Sequence, residues 1–208
     1  MSLLHYNLLD KSRKKVFEQL KSFKKEAVLA GGTALLLQIG HRLSFDFDLF
    51  SKREITRNDL LKLKRLFKIQ EVRLNTVEQL NVITAENILI TLVYYPYKPL
   101  FEQVPTVSLP ILSIKDIALD KAFTIGRRTA WRDYVDLFFL LKNHYIDLSE
   151  IIKLGQKKFD MEFNPRLFLE QLIYFEDLEI TKISFIREKY NSEQIQKFFE
   201  KEIKKIKL

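Results

Sequence analysis

At 208 residues, 47% of them hydrophobic and 17 of them phenylalanine, the chain can bury a substantial core, as one domain or as a core with an appendage. The absence of cysteine excludes disulfides and thiolate zinc sites and fits a cytoplasmic protein, and no apolar run reaches the length of a membrane span or a signal peptide. A net charge of +8 favours anionic partners such as nucleotides or RNA, although a lysine-rich composition alone produces the same total.

Residues 9–25 place Val16, Phe17, Leu20 and Phe23 at helical spacing among lysines, which predicts an amphipathic helix. Ala27–Ala30 reads as a first core strand and Thr33–Ile39 as the helix that follows the Gly31-Gly32 turn. In Phe45-Asp46-Phe47-Asp48-Leu49-Phe50, apolar residues alternate with two aspartates. That is the strand period, with both carboxylates on one face and Phe45, Phe47 and Leu49 on the other. Side chains two apart on a strand stand about 7 Å from each other, close enough for two carboxylates to grip one divalent ion. A Gly-Gly-Thr turn at a helix start presents backbone N–H groups and a hydroxyl to an anion. Each half has an ordinary explanation, as a simple turn or as the wet face of an edge strand. Together they are the equipment of phosphoryl or nucleotidyl transfer.

Thr56-Arg57-Asn58-Asp59 signals another helix start, with Leu60, Leu61, Leu63, Leu66 and Phe67 behind it. Residues 70–95 change to short extended runs, broken at Asn81 and at Glu86-Asn87, and read as a meander. Pro96, Pro99, Pro105 and Pro110 mark a non-helical connection. Ser113 caps a helix through about Ile125, whose apolar stripe of Ile114, Ile117, Ala118 and Ile125 is completed by Lys121. A lysine on a buried stripe either reaches an anion or snorkels out. In the next helix Arg132, Asp133 and Asp136 share a face by their i, i+3 and i, i+4 relations, while Trp131, Tyr134, Val135, Phe138 and Leu141 supply packing. Asp133 also suits the positive end of that helix. Three further helices follow over 148–159, 165–175 and 192–205. Lys201, Lys204, Lys205 and Lys207 read as a solvated face, with nucleic-acid contact as the alternative.

The run from Gly31 to Phe50 resembles the signature of the DNA polymerase β-type nucleotidyltransferase superfamily. Its segment His41-Arg42-Leu43-Ser44-Phe45-Asp46-Phe47-Asp48 is similar to that of the AbiEii/AbiGii toxin family within it. The later motifs agree: Asp116 or Asp120 with Lys121, then Arg132-Asp133-Tyr134-Val135-Asp136-Leu137. The resemblance implies an α+β fold, with a nucleotidyltransferase core around a small mixed sheet flanked by helices and a helical C-terminal subregion. The expected division is 1–110 for the α/β core and 111–208 for the helical region that completes the site.

It further implies Mg²⁺-dependent transfer of a nucleoside monophosphate from an NTP to an acceptor. RNA or tRNA is the expected acceptor, in a toxin with a cognate antitoxin or in a phage-defence pair. Asp46 and Asp48 would bind the metal. Gly31, Gly32, Thr33, Arg42 and Ser44 would bind nucleotide phosphates, and Lys121, Asp133 and Asp136 would complete the catalytic set. Arg42, Arg127 and Arg128 are the expected basic rim of the site. One departure stands out: the strand over 88–95 lacks the third metal carboxylate usual in the superfamily. Two alternatives stay open, a small-molecule acceptor of the antibiotic type and a catalytically degenerate nucleotide- or RNA-binding protein.

Overall fold

The computed structural model describes residues 4–125, 127–128 and 130–206, so Lys207 and Thr129 lie outside the described residues. Two compact units are resolved. One holds the chain up to Pro96 together with Glu102–Ser113; the other holds Tyr97–Phe101 and the chain from Ile114 onwards.

The first unit is built on α1 (Lys11–Gln19), β1 (Ala27–Ala30), α2 (Gly31–Ile39), β2 (Phe47–Ser51), α3 (Arg57–Leu66), β3 (Ile69–Asn75), β4 (Gln79–Thr84) and β5 (Leu89–Tyr94). The strands form one mixed sheet in the order β1-β2-β5-β4-β3, antiparallel except for the β2–β5 pair. One face is a sealed core: Phe47, Leu49, Ile90, Leu92, Leu80 and Val82 are all buried, and the Phe17 ring of α1 stacks on Phe47 at 6.3 Å. In helix α2 every residue from Gly32 to Ile39 is buried, which is the pattern of a central helix rather than a surface one. Gly40 ends it in the left-handed conformation, φ +58°, that a C-terminal stop requires.

Three expectations need correction here. The first helix stops at Gln19 and continues as a 3-10 turn over Leu20–Phe23. Asn81 does not interrupt a strand but sits inside β4, because its side chain lies on the half-open sheet face, where Gln79 Nε2 donates to it at 2.9 Å. Phe45 precedes β2, stands 49% exposed and is covered by the Arg13 guanidinium at 4.6 Å instead of joining the core.

Helix α3 begins with a full capping box: the Thr56 backbone N–H and hydroxyl donate to Asp59 Oδ2 at 2.8 and 2.9 Å. Arg53 adds two hydrogen bonds to the same carboxylate, at 2.8 and 2.9 Å. Burial pushes the Asp59 carboxyl up, but the bonds from Arg53 and Thr56 outweigh it and hold the group below its ordinary value of 3.8. A carboxyl depressed in the folded state stabilises above its unfolded value and loses that contribution as pH falls through its folded one. Asp59→Asn should therefore cost about 1–2 kcal/mol at neutral pH. In denaturant titrations the gap to wild type should close as pH drops below about 4.

The second unit is helical: α4 (Ile114–Thr124), α5 (Trp131–Lys142), α6 (Leu148–Phe159), α7 (Pro165–Ile173) and α8 (Ser192–Ile203). Helix α5 is buried on all sides except at Arg132 and Lys142. It carries an aromatic cluster in which Tyr134 meets Phe175 and Phe199, and Phe138 meets Phe198. Helix α7 ends two residues earlier than its sequence suggests, and Lys201, Lys204 and Lys205 are exposed. No helix among the described residues is long and apolar enough to cross a membrane.

Candidate active site

In the first unit the glycine turn and the aspartate strand meet. Gly31 has φ +65°, and a Cβ there would stand 2.3 Å from Asp48 Oδ2, so the Asp48 carboxylate lies directly against the turn. Only glycine satisfies both conditions. Gly32 is constrained from the other side, since a Cβ on it would meet the Arg42 guanidinium and Ser44 Oγ, each at 2.9 Å. Ala30, the residue before α2, has no side chain to offer the first-turn N–H groups. The positive end of this buried helix is thus flanked by the Asp48 carboxylate, whose charge it favours, and by the Arg42 guanidinium.

The Thr33 hydroxyl is buried and donates to the Asp46 carbonyl, while sharing a 3.0 Å hydrogen bond with Ser44 Oγ. Through these bonds it fixes the entry to β2. Arg13 Nη1 donates to the Ser44 carbonyl at 2.5 Å and Arg42 Nη1 to the Leu43 carbonyl at 3.0 Å. Arg42 is 3% exposed, so it is an inner residue of the turn and not part of an exposed rim. Asp46 and Asp48 are half-buried.

Gly31→Ala should cost about 1–2 kcal/mol from the positive φ alone. Displacement of Asp48 should add a loss of activity out of proportion to that. Unfolding midpoints and initial rates measured together separate the two effects.

The β2–β5 register sets Thr91 opposite Asp48, so a buried hydroxyl stands on the strand where the superfamily usually carries its third acid. Among the described residues no group of three or more His, Cys, Asp or Glu side chains is placed to hold a metal ion. The donor set that Asp46 and Asp48 do offer is two hard carboxylate oxygens. That fits Mg²⁺, which takes one or two protein carboxylates and completes its shell with substrate phosphates and water.

The second unit explains the lysine on the apolar stripe. Lys121 Nζ lies 2.5 Å from Asp133 Oδ1 and 2.7 Å from Asp136 Oδ2, and all three side chains are at most 8% exposed. Arg128, 60% exposed, brings Nε and Nη2 each to 2.9 Å from Asp133 Oδ2. Two cations therefore balance two anions, which is the condition for burying carboxylates at all. The i, i+3 spacing turns Asp133 and Asp136 inward together, whereas Arg132, one residue along, is swung out and exposed. Burial, with the Asp133 charge beside it, pushes the Tyr134 phenol up to about 12; its hydroxyl donates to the Gln171 carbonyl at 3.0 Å.

Arg127 and Arg128 are exposed. Arg127 lies over the Phe123 ring at 3.7 Å and donates to the Glu162 carbonyl at 2.6 Å.

Sequence reasoning missed one cluster. Lys158 Nζ sits 3.2 Å from Asp116 Oδ1 and 2.6 Å from Asp120 Oδ1, with the lysine side chain 1% exposed. The Asp116 carboxylate also accepts the N–H groups of Leu100 and Phe101 at 2.9 and 3.1 Å. The signal was the one that flagged Lys121. Leu148, Ile151, Gly155 and Phe159 make a buried helical stripe, and Lys158 lies on it.

Comparison with known proteins adds a family. The family model described as "Nucleotidyl transferase AbiEii toxin, Type IV TA system" matches residues 64–206. That range contains both buried ionic clusters and begins after the glycine turn and the aspartate strand. The Aquifex aeolicus (strain VF5) protein aq_aa25 is 32% identical over 203 residues, spanning 94% of this chain and 96% of that protein. In fold, the chain is similar to the crystal structure of JHP933 from Helicobacter pylori, with TM-score 0.50, 20% identity and 97% of each chain covered. A second H. pylori structure matches with TM-score 0.53 and 18% identity, over 96% of this chain and 100% of that one.

Proposed function

From the premise that the chain belongs to the nucleotidyl transferase AbiEii toxin family of type IV toxin–antitoxin systems, we propose that it moves the nucleoside monophosphate of an NTP onto an RNA hydroxyl, with Mg²⁺ as cofactor and a cognate antitoxin as its genetic partner. The observation that carries this reading is the contact of the Asp48 carboxylate with the Gly31 turn, which sets a metal-binding group against a helix start suited to phosphate.

The backbone at Gly31 and Gly32 receives the terminal phosphates, and Arg42, packed against Gly32, adds positive charge there. Thr33 and Ser44 hold the Asp46 backbone, so that Asp46 and Asp48 present their oxygens together. These two carboxylates would hold Mg²⁺, which when bound neutralises triphosphate charge and polarises the phosphoryl oxygens. The acceptor oxygen attacks the α-phosphorus, the bond to the bridging oxygen breaks, and pyrophosphate leaves with the electron pair. The hydroxyl proton passes to a carboxylate of the site or to water. The family resemblance assigns Lys121 to the catalytic set, and in the second unit its ammonium is held by Asp133 and Asp136 at 2.5 and 2.7 Å.

The net charge of +8 and the exposed Arg127 and Arg128 support an RNA acceptor. Purified protein incubated with each labelled NTP, Mg²⁺ and total RNA should transfer label to RNA. Absence of transfer to any RNA, with label appearing on a small hydroxyl compound instead, overturns the choice of acceptor. RNA binding should also weaken with salt by a log–log slope of about −0.7 per phosphate contact. Replacing the exposed Arg127 by glutamine should flatten that slope and leave NTP binding unchanged.

A further inference from the structure

The sheet of the first unit has one face sealed by apolar residues, and the other carries the Asp48 carboxylate. What stands beside Asp48 on that second face follows from the strand register. Phe50, two residues along β2, is on the same side and half-buried. Its ring stacks on Tyr95 with centroids 4.1 Å apart and planes at 24°. Tyr95 itself is fixed by its backbone N–H, which donates to the Ser51 carbonyl at 2.9 Å. Across the sheet, Thr91 pairs with both Asp48 and Asn81, and Val93 pairs with both Phe50 and Gln79. The Gln79 and Asn81 amides are joined at 2.9 Å, half-buried on this same face.

A carboxylate, an aromatic pair and two linked amides therefore share one surface. Phe50 lies about 7 Å from Asp48 along the strand, and the amides about 10 Å across it. A nucleotide with its phosphates at Asp48 has its base one ribose away, which is the separation of the aromatic pair from the carboxylate. An aromatic face accepts any base by stacking, whereas carboxamides bear both donors and acceptors and can read a base edge.

We infer that Phe50 and Tyr95 form the nucleobase platform of the NTP site, with Gln79 and Asn81 as its base-reading groups. This rests on the nucleotidyltransferase reading of Asp46 and Asp48. Phe50 and Tyr95 bind substrate and take no part in bond making. The platform binds bases of every kind, and the amides set the preference among them.

The test compares binding of the four NTPs with binding of inorganic tripolyphosphate, each in Mg²⁺, by calorimetry on the full chain. Phe50→Leu keeps the apolar volume but removes the ring; it should weaken every NTP about tenfold and leave tripolyphosphate within about twofold. Phe50→Tyr should restore NTP affinity, and Tyr95→Leu should behave like Phe50→Leu. Gln79→Ala together with Asn81→Ala should narrow the differences among the four NTPs. Thermal melts confirm that each variant is folded before it is scored. If Phe50→Leu and Tyr95→Leu bind NTPs as wild type does, while Asp48→Asn binds neither NTP nor tripolyphosphate, the platform is wrong and the site reading stands. If both ring variants lose NTP and tripolyphosphate equally, the rings serve the phosphate end and the platform is again wrong. If Asp48→Asn binds both ligands like wild type, the nucleotide site itself is misassigned and the platform falls with it.

Discussion

Asp48→Asn should lower nucleotidyl transfer about a thousandfold while the protein stays folded. The carboxylate is half-buried and makes no part of the apolar core, so packing loses little when one oxygen becomes an amide. The favourable placement of a negative charge at the start of α2 is lost, which costs about 0.3–1 kcal/mol. Asp46→Asn should behave similarly, because its backbone is anchored by Thr33 independently of its side chain. Rates from label transfer, with urea titrations of the same samples, give both quantities. Unfolding of both variants at neutral pH would show that these aspartates are structural and would remove the site assignment.

Lys121→Met should strongly destabilise the second unit. It leaves the buried carboxylates of Asp133 and Asp136 with the Arg128 guanidinium, which is bonded to Asp133, and breaking a buried pair in this way costs about 3–5 kcal/mol. Domains of this kind are stable by only about 5–15 kcal/mol, so a large shift of the unfolding midpoint is expected. Adding Asp136→Asn to Lys121→Met removes the stranded charge and should recover much of the stability. Transfer activity should stay low in the double variant. Recovery of activity along with stability would mean that Lys121 is purely structural.

Much of this was legible before any coordinates, for reasons that can be named. The glycine turn, the Asp46/Asp48 alternation and the Thr56–Asp59 box are local signals, because each depends on residues within a turn or a strand of one another. Lys121 drew attention because a charge on an apolar stripe must be compensated. Lys158 carries the same signal, but its partners Asp116 and Asp120 are about forty residues away, beyond the reach of any local pattern. Asn81 is not legible as a strand residue locally, because a polar residue looks like a break until one face of the sheet is known to be open.

By itself, the sequence determined the α+β class and the order of elements, which follow from short-range periodicity, and its motifs carried the resemblance to the family. Tertiary structure alone decided the rest. It turned the Thr33 hydroxyl inward to hold Asp46, buried Arg42 against Gly32, and gave Lys121 to Asp133 and Asp136 and Lys158 to Asp116 and Asp120. It also put Phe50 beside Tyr95. Pairings of this kind form between distant segments, and the choice of partner is set by which side chains reach one another once the sheet and helices have packed. A local pattern shows that a buried charge needs a partner, but only the packed chain decides which one it gets.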